Sequence, residues 1–368
     1  MRLICHRCES VEPWPTDRWE CPCGAPREMI GLAPFAPDAV DPREPGLWRY
    51  RAMLPPLPAT GPVTLGEGFT PLISGIWEGL SVYWKLEYLN PTGAFKDRGT
   101  ALVVNDMVSR KVDKVVEDSS GNAGASLAAY AARAGVQARI YVPEHASPAK
   151  KAQIAVYGAE LVSVSGPRIE ATRAAEEATT EGVVYASHVW HPLTLIGMTT
   201  IAWEVWEQLG GRAPDWFISP VGQGTLLLGA WRGFQTLAAS GLIERLPRLV
   251  AAQAERCAPI AEAMCGGKED VEGVPPRPTI AEGVAIVKPV RGRALLQALR
   301  ESRGLTPVAT EDDIVQAQKK LASVGLYVEP TSAAAVAVLP SIRRHISSGE
   351  TVVVALTGSG LKSPVTMK

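Results

Sequence analysis

Asn90-Pro91-Thr92-Gly93-Ala94-Phe95-Lys96-Asp97-Arg98-Gly99 places one lysine under unusual conditions. Asn-Pro-Thr-Gly is turn chemistry. The run after it sets Leu102, Val103 and Met107 on one face of a helix. Lys96 therefore stands at a helix start, where the macrodipole disfavours a cation by roughly 0.3–1 kcal/mol. Phe95 beside it suggests partial burial, which also pushes a lysine toward its neutral form. A neutral amine attacks carbonyls, so Lys96 is a candidate for Schiff-base chemistry. Taken alone, it reads more readily as a surface lysine opening a helix, since lysine is mostly exposed.

Three further segments change that balance. Val115–Asp118 has the composition of a strand end and runs into Ser119-Ser120-Gly121-Asn122-Ala123-Gly124, ahead of an alanine-rich helix over 125–134. Small polar residues between strand and helix leave backbone N–H groups able to hold an anion. The apolar strand Trp216–Val221 opens into Gly222-Gln223-Gly224-Thr225 and a helix over 226–237, a second cradle of the same kind. The strand Thr351–Leu356 ends in Thr357-Gly358-Ser359-Gly360. A dinucleotide-binding turn does not account for Gly222-x-Gly224. The third glycine of that fingerprint falls on Leu227, and the acid about twenty residues on, Glu244, follows a helix rather than a strand.

Four of the six cysteines lie in the first 23 residues, as Cys5-His6-Arg7-Cys8 and Cys21-Pro22-Cys23. Two close pairs separated by twelve residues are able to converge tetrahedrally on one zinc ion. His6 is a reserve ligand, and a metal-free thiol cluster is the alternative. Residues 1–30 hold four arginines against five acids, so this segment has no basic face for nucleic acid and is expected to be structural. Eight prolines between Pro34 and Pro62 read as an extended linker. From there strand-like and helix-like runs alternate, which indicates an α/β architecture with mostly parallel sheets. The expected strands are Lys114–Glu117, Ala138–Val142, Leu161–Val164 and Val183–Ala186, then Trp216–Val221, Arg248–Gln253 and Thr351–Leu356.

The ordered set PTGAFKDRG, SSGNAG, PVGQGTLL, AEGVA, VEPTSAA and LTGSGLK, across roughly residues 60–365, resembles the fold-type II pyridoxal-phosphate (PLP) enzymes, and within them the threonine synthase branch. That resemblance implies two open α/β domains, tryptophan synthase β-like, with PLP in the interdomain cleft. It divides the chain into a zinc ribbon-like segment 1–30, a linker 31–62, a large PLP-binding domain 63–95 and 196–368, and a small domain 96–195. Lys96 would carry PLP and move substrate protons. Gly222, Gln223, Gly224 and Thr225 would bind its phosphate, Asn122 its ring oxygen and Thr357 its ring nitrogen. Ser119, Ser120 and Gly121 would hold the substrate carboxylate. Many threonine synthases carry an N-terminal ribbon of the kind formed by Cys5, Cys8, Cys21 and Cys23.

The implied reaction converts O-phosphohomoserine and water to threonine and phosphate. The alternative is a serine/threonine dehydratase or a β-replacement synthase of the cysteine or cysteate synthase kind. The pattern departs from the branch where a hydroxyl residue is replaced by Ala123. It departs again where arginine, lysine and histidine of the substrate-phosphate site are replaced by Thr194, Thr199 and Ser359. The family also implies a homodimer. A net charge of −1 gives no reason to expect nucleic acid or anionic membrane as partner. With no apolar leader in residues 1–10, the expected location is cytoplasmic.

Overall fold

The computed structural model describes residues 1–363 except 17, 19, 57, 59, 120, 145, 147, 167 and 181. The N-terminal elements are β1 (Arg2–Ile4), β2 (Val11–Pro13), β3 (Glu28–Ile30), β4 (Leu72–Trp77) and β5 (Leu80–Lys85). Next come α1 (Asp97–Ser109), β6 (Lys114–Glu117), α2 (Asn122–Ala134), β7 (Gln137–Pro143), α3 (Pro148–Val156), β8 (Glu160–Val164), α4 (Arg168–Glu177) and β9 (Val183–Tyr185). After these follow α5 (Pro192–Gln208), β10 (Trp216–Pro220), α6 (Thr225–Ala239), β11 (Arg248–Ala254), α7 (Pro259–Cys265) and α8 (Gly292–Glu301). The chain finishes with β12 (Val308–Ala309), α9 (Glu311–Ser323), α10 (Pro330–Ala337), α11 (Leu339–Ile342) and β13 (Val352–Ala355). Two compact units result, Met1–Gly68 with Asn90–Gly197, and Phe69–Leu89 with Met198–Lys368.

The first unit contains an antiparallel ribbon, β2-β1-β3, and a parallel sheet, β8-β7-β6-β9. Val115, Val116, Ile140 and Val142 are buried. Such apolar runs mark parallel strands covered on both faces. Helix α2 presents Ala125, Ala128, Ala129 and Ala131 as buried small residues, and it packs against α1. Residues 31–62, expected as an extended linker, instead carry a 3-10 helix over Gly46–Met53 with Leu47, Trp48, Tyr50 and Met53 buried. Its anchor is a fully buried carboxylate. Glu67 Oε1 accepts from Trp48 Nε1 at 2.6 Å, and Oε2 accepts from Tyr130 Oη at 2.7 Å. Flanking prolines, Pro45 before it and Pro55 after it, made the stretch read as linker, and the element is too short to show a helical period.

The second unit is built on the sheet β12-β11-β10-β13-β5-β4, parallel except for the β4–β5 pair. That pair is a hairpin turning at Glu78 (φ 49°) and Gly79 (φ 78°), two left-handed residues suited to a tight two-residue turn. It was not among the expected strands. Trp77, Trp84, Trp216, Val354 and Leu356 belong to the core beneath it. Lys85 of β5 is fully buried and donates to Glu204 Oε2 at 2.7 Å, the Thr70 carbonyl at 2.6 Å and Gln208 Oε1 at 3.0 Å. Helices α5 and α6 approach closely because a Cβ on Gly229 would lie 2.2 Å from Met198 Cβ, and one on Gly233 would lie 2.4 Å from the Thr199 carbonyl. Among the described residues no helix is long and apolar enough to cross a membrane.

Candidate active site

Lys96 sits at the N-cap of α1, half-buried, as its sequence position suggested. The turn before it closes through Gly93 N donating to the Asn90 carbonyl at 2.8 Å, with Gly93 at φ +81°. Fully buried Asp97 then locks the junction. Its Oδ2 accepts from Thr92 N at 2.7 Å, and its Oδ1 accepts from Thr92 Oγ1 and Ser126 Oγ, both at 2.6 Å. The Phe95 ring does more than cover Lys96. Its centroid lies 4.5 Å from Nζ, a cation–π distance.

In the same unit, Ser119 is buried and its Oγ accepts from Gly121 N at 3.3 Å. Gly121 caps α2, and Asn122 is that helix's first residue. First-turn amides of a helix have no intrahelical acceptor, so this end is a donor surface. A Cβ on Gly124 would stand 2.0 Å from the Ser119 carbonyl, whereas one on Gly121 meets nothing within 4 Å. The loop is therefore folded tightly on one side and open on the other. Ser120 lies outside the described residues. Beneath the loop, Glu117 accepts from His188 N at 3.1 Å and pairs with His188 Nδ1 at 2.8 Å. Burial pushes the Glu117 carboxyl up, with His188 opposing. Burial would also raise Asp118, but the Arg168 and His188 charges and hydrogen bonds from Thr172 and Tyr185 hold it below the usual range.

The second unit gathers four distant motifs. Gly224 (φ +75°) caps α6, and buried Thr225 begins it. A Cβ on Gly222 would come within 2.6 Å of the Gly283 carbonyl, and one on Gly224 within 2.5 Å of Leu295. Gln223 Oε1 accepts from Val290 N at 3.1 Å. Gly283 N in turn donates to Thr331 Oγ1 at 2.9 Å. Buried Thr357 shares a hydroxyl hydrogen bond of 2.9 Å with Ser332, whose Oγ accepts from Gly358 N at 2.8 Å. Asp97, Ser332 and the Glu117–His188 pair were missed by sequence reading, although each is a polar residue set in an apolar or motif-bearing run.

The three replaced phosphate positions are all buried or nearly so: Thr194 at 3%, Thr199 at 4% and Ser359 at 9% exposure. Thr194 Oγ1, in the first turn of α5, has no hydrogen-bond partner among the described residues. Ser359 Oγ accepts from Leu361 N at 3.3 Å. Arg168 pairs with Asp118 at 3.8 Å, and Lys151 donates to the Glu144 carbonyl at 2.6 Å.

Cys5, Cys8, Cys21 and Cys23 bring their sulfurs within 4.8 Å of one another. Cys5–Cys23 and Cys8–Cys21 are each 3.5 Å apart. Tetrahedral zinc, with Zn–S near 2.3 Å, requires sulfurs about 3.8 Å apart, so the cluster fits that ion. His6 is no part of it, because its Nε2 meets Glu28 Oε2 at 2.6 Å.

A family model described as "Pyridoxal-phosphate dependent enzyme" matches residues 63–358. The chain belongs to that family. It is 36% identical over 363 residues to threonine synthase of Methanocaldococcus jannaschii, covering 94% of this chain and 89% of that one. Threonine synthase of Mycobacterium leprae is 35% identical over 326 residues, 86% of this chain and 88% of the relative. Among solved structures, a T.th. threonine deaminase superposes with TM-score 0.67 at 25% identity, covering 79% of this chain and 92% of that one. Maize serine racemase gives 0.69 at 24% identity, over 79% and 88% of the two chains, and shows the shared fold alone. This PLP-dependent enzyme is thus a lyase of fold type II in the threonine synthase branch. Its residues fit PLP. The loop 222–224, glycine on either side of a glutamine whose side chain is engaged by Val290 N, leads into a helix start bearing a buried hydroxyl, which is donor chemistry for a phosphate.

Proposed function

We propose that this enzyme forms threonine from O-phosphohomoserine, with Lys96 as the residue that carries PLP. The similarity to threonine synthases over 94% of the chain supports this reading. PLP, when bound, supplies an electron sink for charge developing on the carbons of an amino acid. Lys96 bonds it covalently and moves protons at Cα and Cβ, and Asp97 holds the turn and helix that aim this amine. Amides of Gly222, Gln223 and Gly224, with the Thr225 hydroxyl, bind the cofactor phosphate. Asn122 donates to the ring oxygen. Ser119, Ser120 and Gly121 hold the substrate carboxylate. Thr357, a neutral hydroxyl backed by Ser332, faces the ring nitrogen and favours elimination or replacement over transamination. Cys5, Cys8, Cys21 and Cys23 hold one structural zinc ion. The active species is a cytoplasmic homodimer.

A second reading is favoured by one observation. A phosphate dianion calls for charge-assisted donors, and the branch's positions for them are the neutral Thr194, Thr199 and Ser359. A neutral β-hydroxyl of serine or threonine suits such residues better, giving deamination to an oxo acid and ammonia. Steady-state assays with O-phosphohomoserine, O-phosphoserine, O-acetylserine, serine and threonine separate the two. Phosphate release with threonine formation supports the synthase. Oxo-acid release from serine or threonine, with no phosphate released from O-phosphohomoserine, establishes the dehydratase instead.

A further inference from the structure

A cavity of about 300 Å³ lies where the ribbon, the last turn of α1 and the first turn of α5 meet within the first unit. Among the described residues its apolar lining includes Trp14, Pro55, Leu102 and Leu193, and the charged side chains in the lining are Asp106 and Arg110, with Met1 also present. Small-ligand sites have this composition, an apolar wall with a few convergent polar groups, and this volume is at the small end of their range. Asp106 Oδ2 and Arg110 Nη1 are 3.3 Å apart, one helical turn from each other on α1. Their side chains are only 11% and 17% exposed. Burial pushes the Asp106 carboxyl up, to about 7, against the opposing hydrogen bond of Trp14, and lowers the Arg110 guanidinium. Each charge is thus held where water serves it poorly, so a ligand bearing the complementary charges gains more here than at an exposed pair. Trp14 also packs edge-on to His191 just ahead of α5, with ring centroids 5.7 Å apart.

We propose that this cavity binds a small α-amino acid with an apolar side chain, its ammonium on Asp106, its carboxylate on Arg110 and its side chain against Trp14, Pro55, Leu102 and Leu193. Adjacent opposite charges at one end of an apolar pocket complement a zwitterion. A dicarboxylate meets repulsion at Asp106, and a polyamine meets it at Arg110. The site is separate from the residues assigned to cofactor and substrate. It nevertheless touches α1, whose N-cap is Lys96, and α5, whose first turn holds Thr194. The inference stands on this cavity and not on the reaction.

Calorimetric titration of the PLP-loaded full chain with L-valine and L-isoleucine tests it, with the cofactor's visible absorbance followed in parallel. Binding at the cofactor changes that absorbance, and binding in the cavity does not. The expected result is one equivalent bound without an absorbance change. Asp106→Asn or Arg110→Gln weakens it about tenfold or more, as loss of a charge-assisted contact should. N-acetylvaline and valinamide, each lacking one charge, should weaken to the same degree. Ser109→Trp, which blocks the cavity from an exposed lining position and removes neither charge, should abolish this binding. The proposal is overturned if wild type shows no absorbance-silent equivalent, or if that equivalent survives both charge substitutions and Ser109→Trp.

Discussion

Because the Asp97 carboxylate accepts three hydrogen bonds in a fully buried setting, the backbone on either side of Lys96 is held from the preceding turn and from α2 at once. Removing the acceptor strands buried donors, at about 1–3 kcal/mol for each. Asp97→Ala should therefore lower the unfolding free energy by at least about 3 kcal/mol in urea titration, and Asp97→Asn, which keeps one acceptor, by less. Lys96→Ala should fold with near-normal stability yet lose the visible absorbance of bound PLP. In wild type, borohydride should fix the label onto the peptide containing Lys96, and a label on any other lysine would refute the assignment. Asp106 gives a pH signature. Its folded carboxyl titrates near 7, above the ordinary value of 3.8, because burial disfavours the anion. The native state therefore holds a proton that the unfolded chain releases. This contribution is fully present below about pH 4 and is lost as pH rises through 7, by up to about 4 kcal/mol. Thermal midpoints of Asp106→Asn should show a flatter pH dependence over that window than wild type.

The ribbon and the helices make predictions of their own kind. Three strands of three residues each bury little apolar surface, and the cluster of Cys5, Cys21 and Ala25 beneath them is small. Such a segment would draw much of its stability from a bound zinc ion. Metal analysis should find close to one zinc per chain. Chelation should lower the first thermal transition while PLP stays bound, and protein purified without chelator yet lacking zinc would refute the site. The α5–α6 contact relies on missing side chains. Gly233→Ala forces a methyl group against the Thr199 carbonyl and should cost about 1–3 kcal/mol.

For the whole molecule, the matched family region runs over residues 63–358, and the similarity to the Methanocaldococcus jannaschii relative covers 94% of the chain. Sedimentation equilibrium should return twice the chain mass if the homodimer is right. Strands β6, β7, β8, β9, β10, β11 and β13 were legible in the sequence as short apolar, β-branched runs bounded by turn residues, most clearly β6, β10 and β13, where nearly every residue is buried. The β4–β5 hairpin was not, since Leu72–Trp77 alternates weakly and its turn is written Glu78-Gly79 rather than with asparagine or aspartate. The 3-10 helix at Gly46–Met53 was hidden among prolines and declares itself only through the buried Glu67 carboxylate.

Local spacing alone determined the alternation of strand and helix, the helix-start lysine, three glycine turns at strand ends and the converging cysteine pairs. Each of these is a property of neighbours along the chain, where φ preference, hydrophobic period and ligand reach act over a few residues. Tertiary structure decided that Gly222 abuts Gly283, that Gly283 rests on Thr331, and that Thr357 is backed by Ser332. It likewise set Asp97 beneath Thr92 and Ser126, and Asp106 with Arg110 beside Trp14. Most of these contacts join residues tens of positions apart. Packing selects them by shape and by the cost of leaving buried polar groups unmet, and no local pattern in the sequence carries that information.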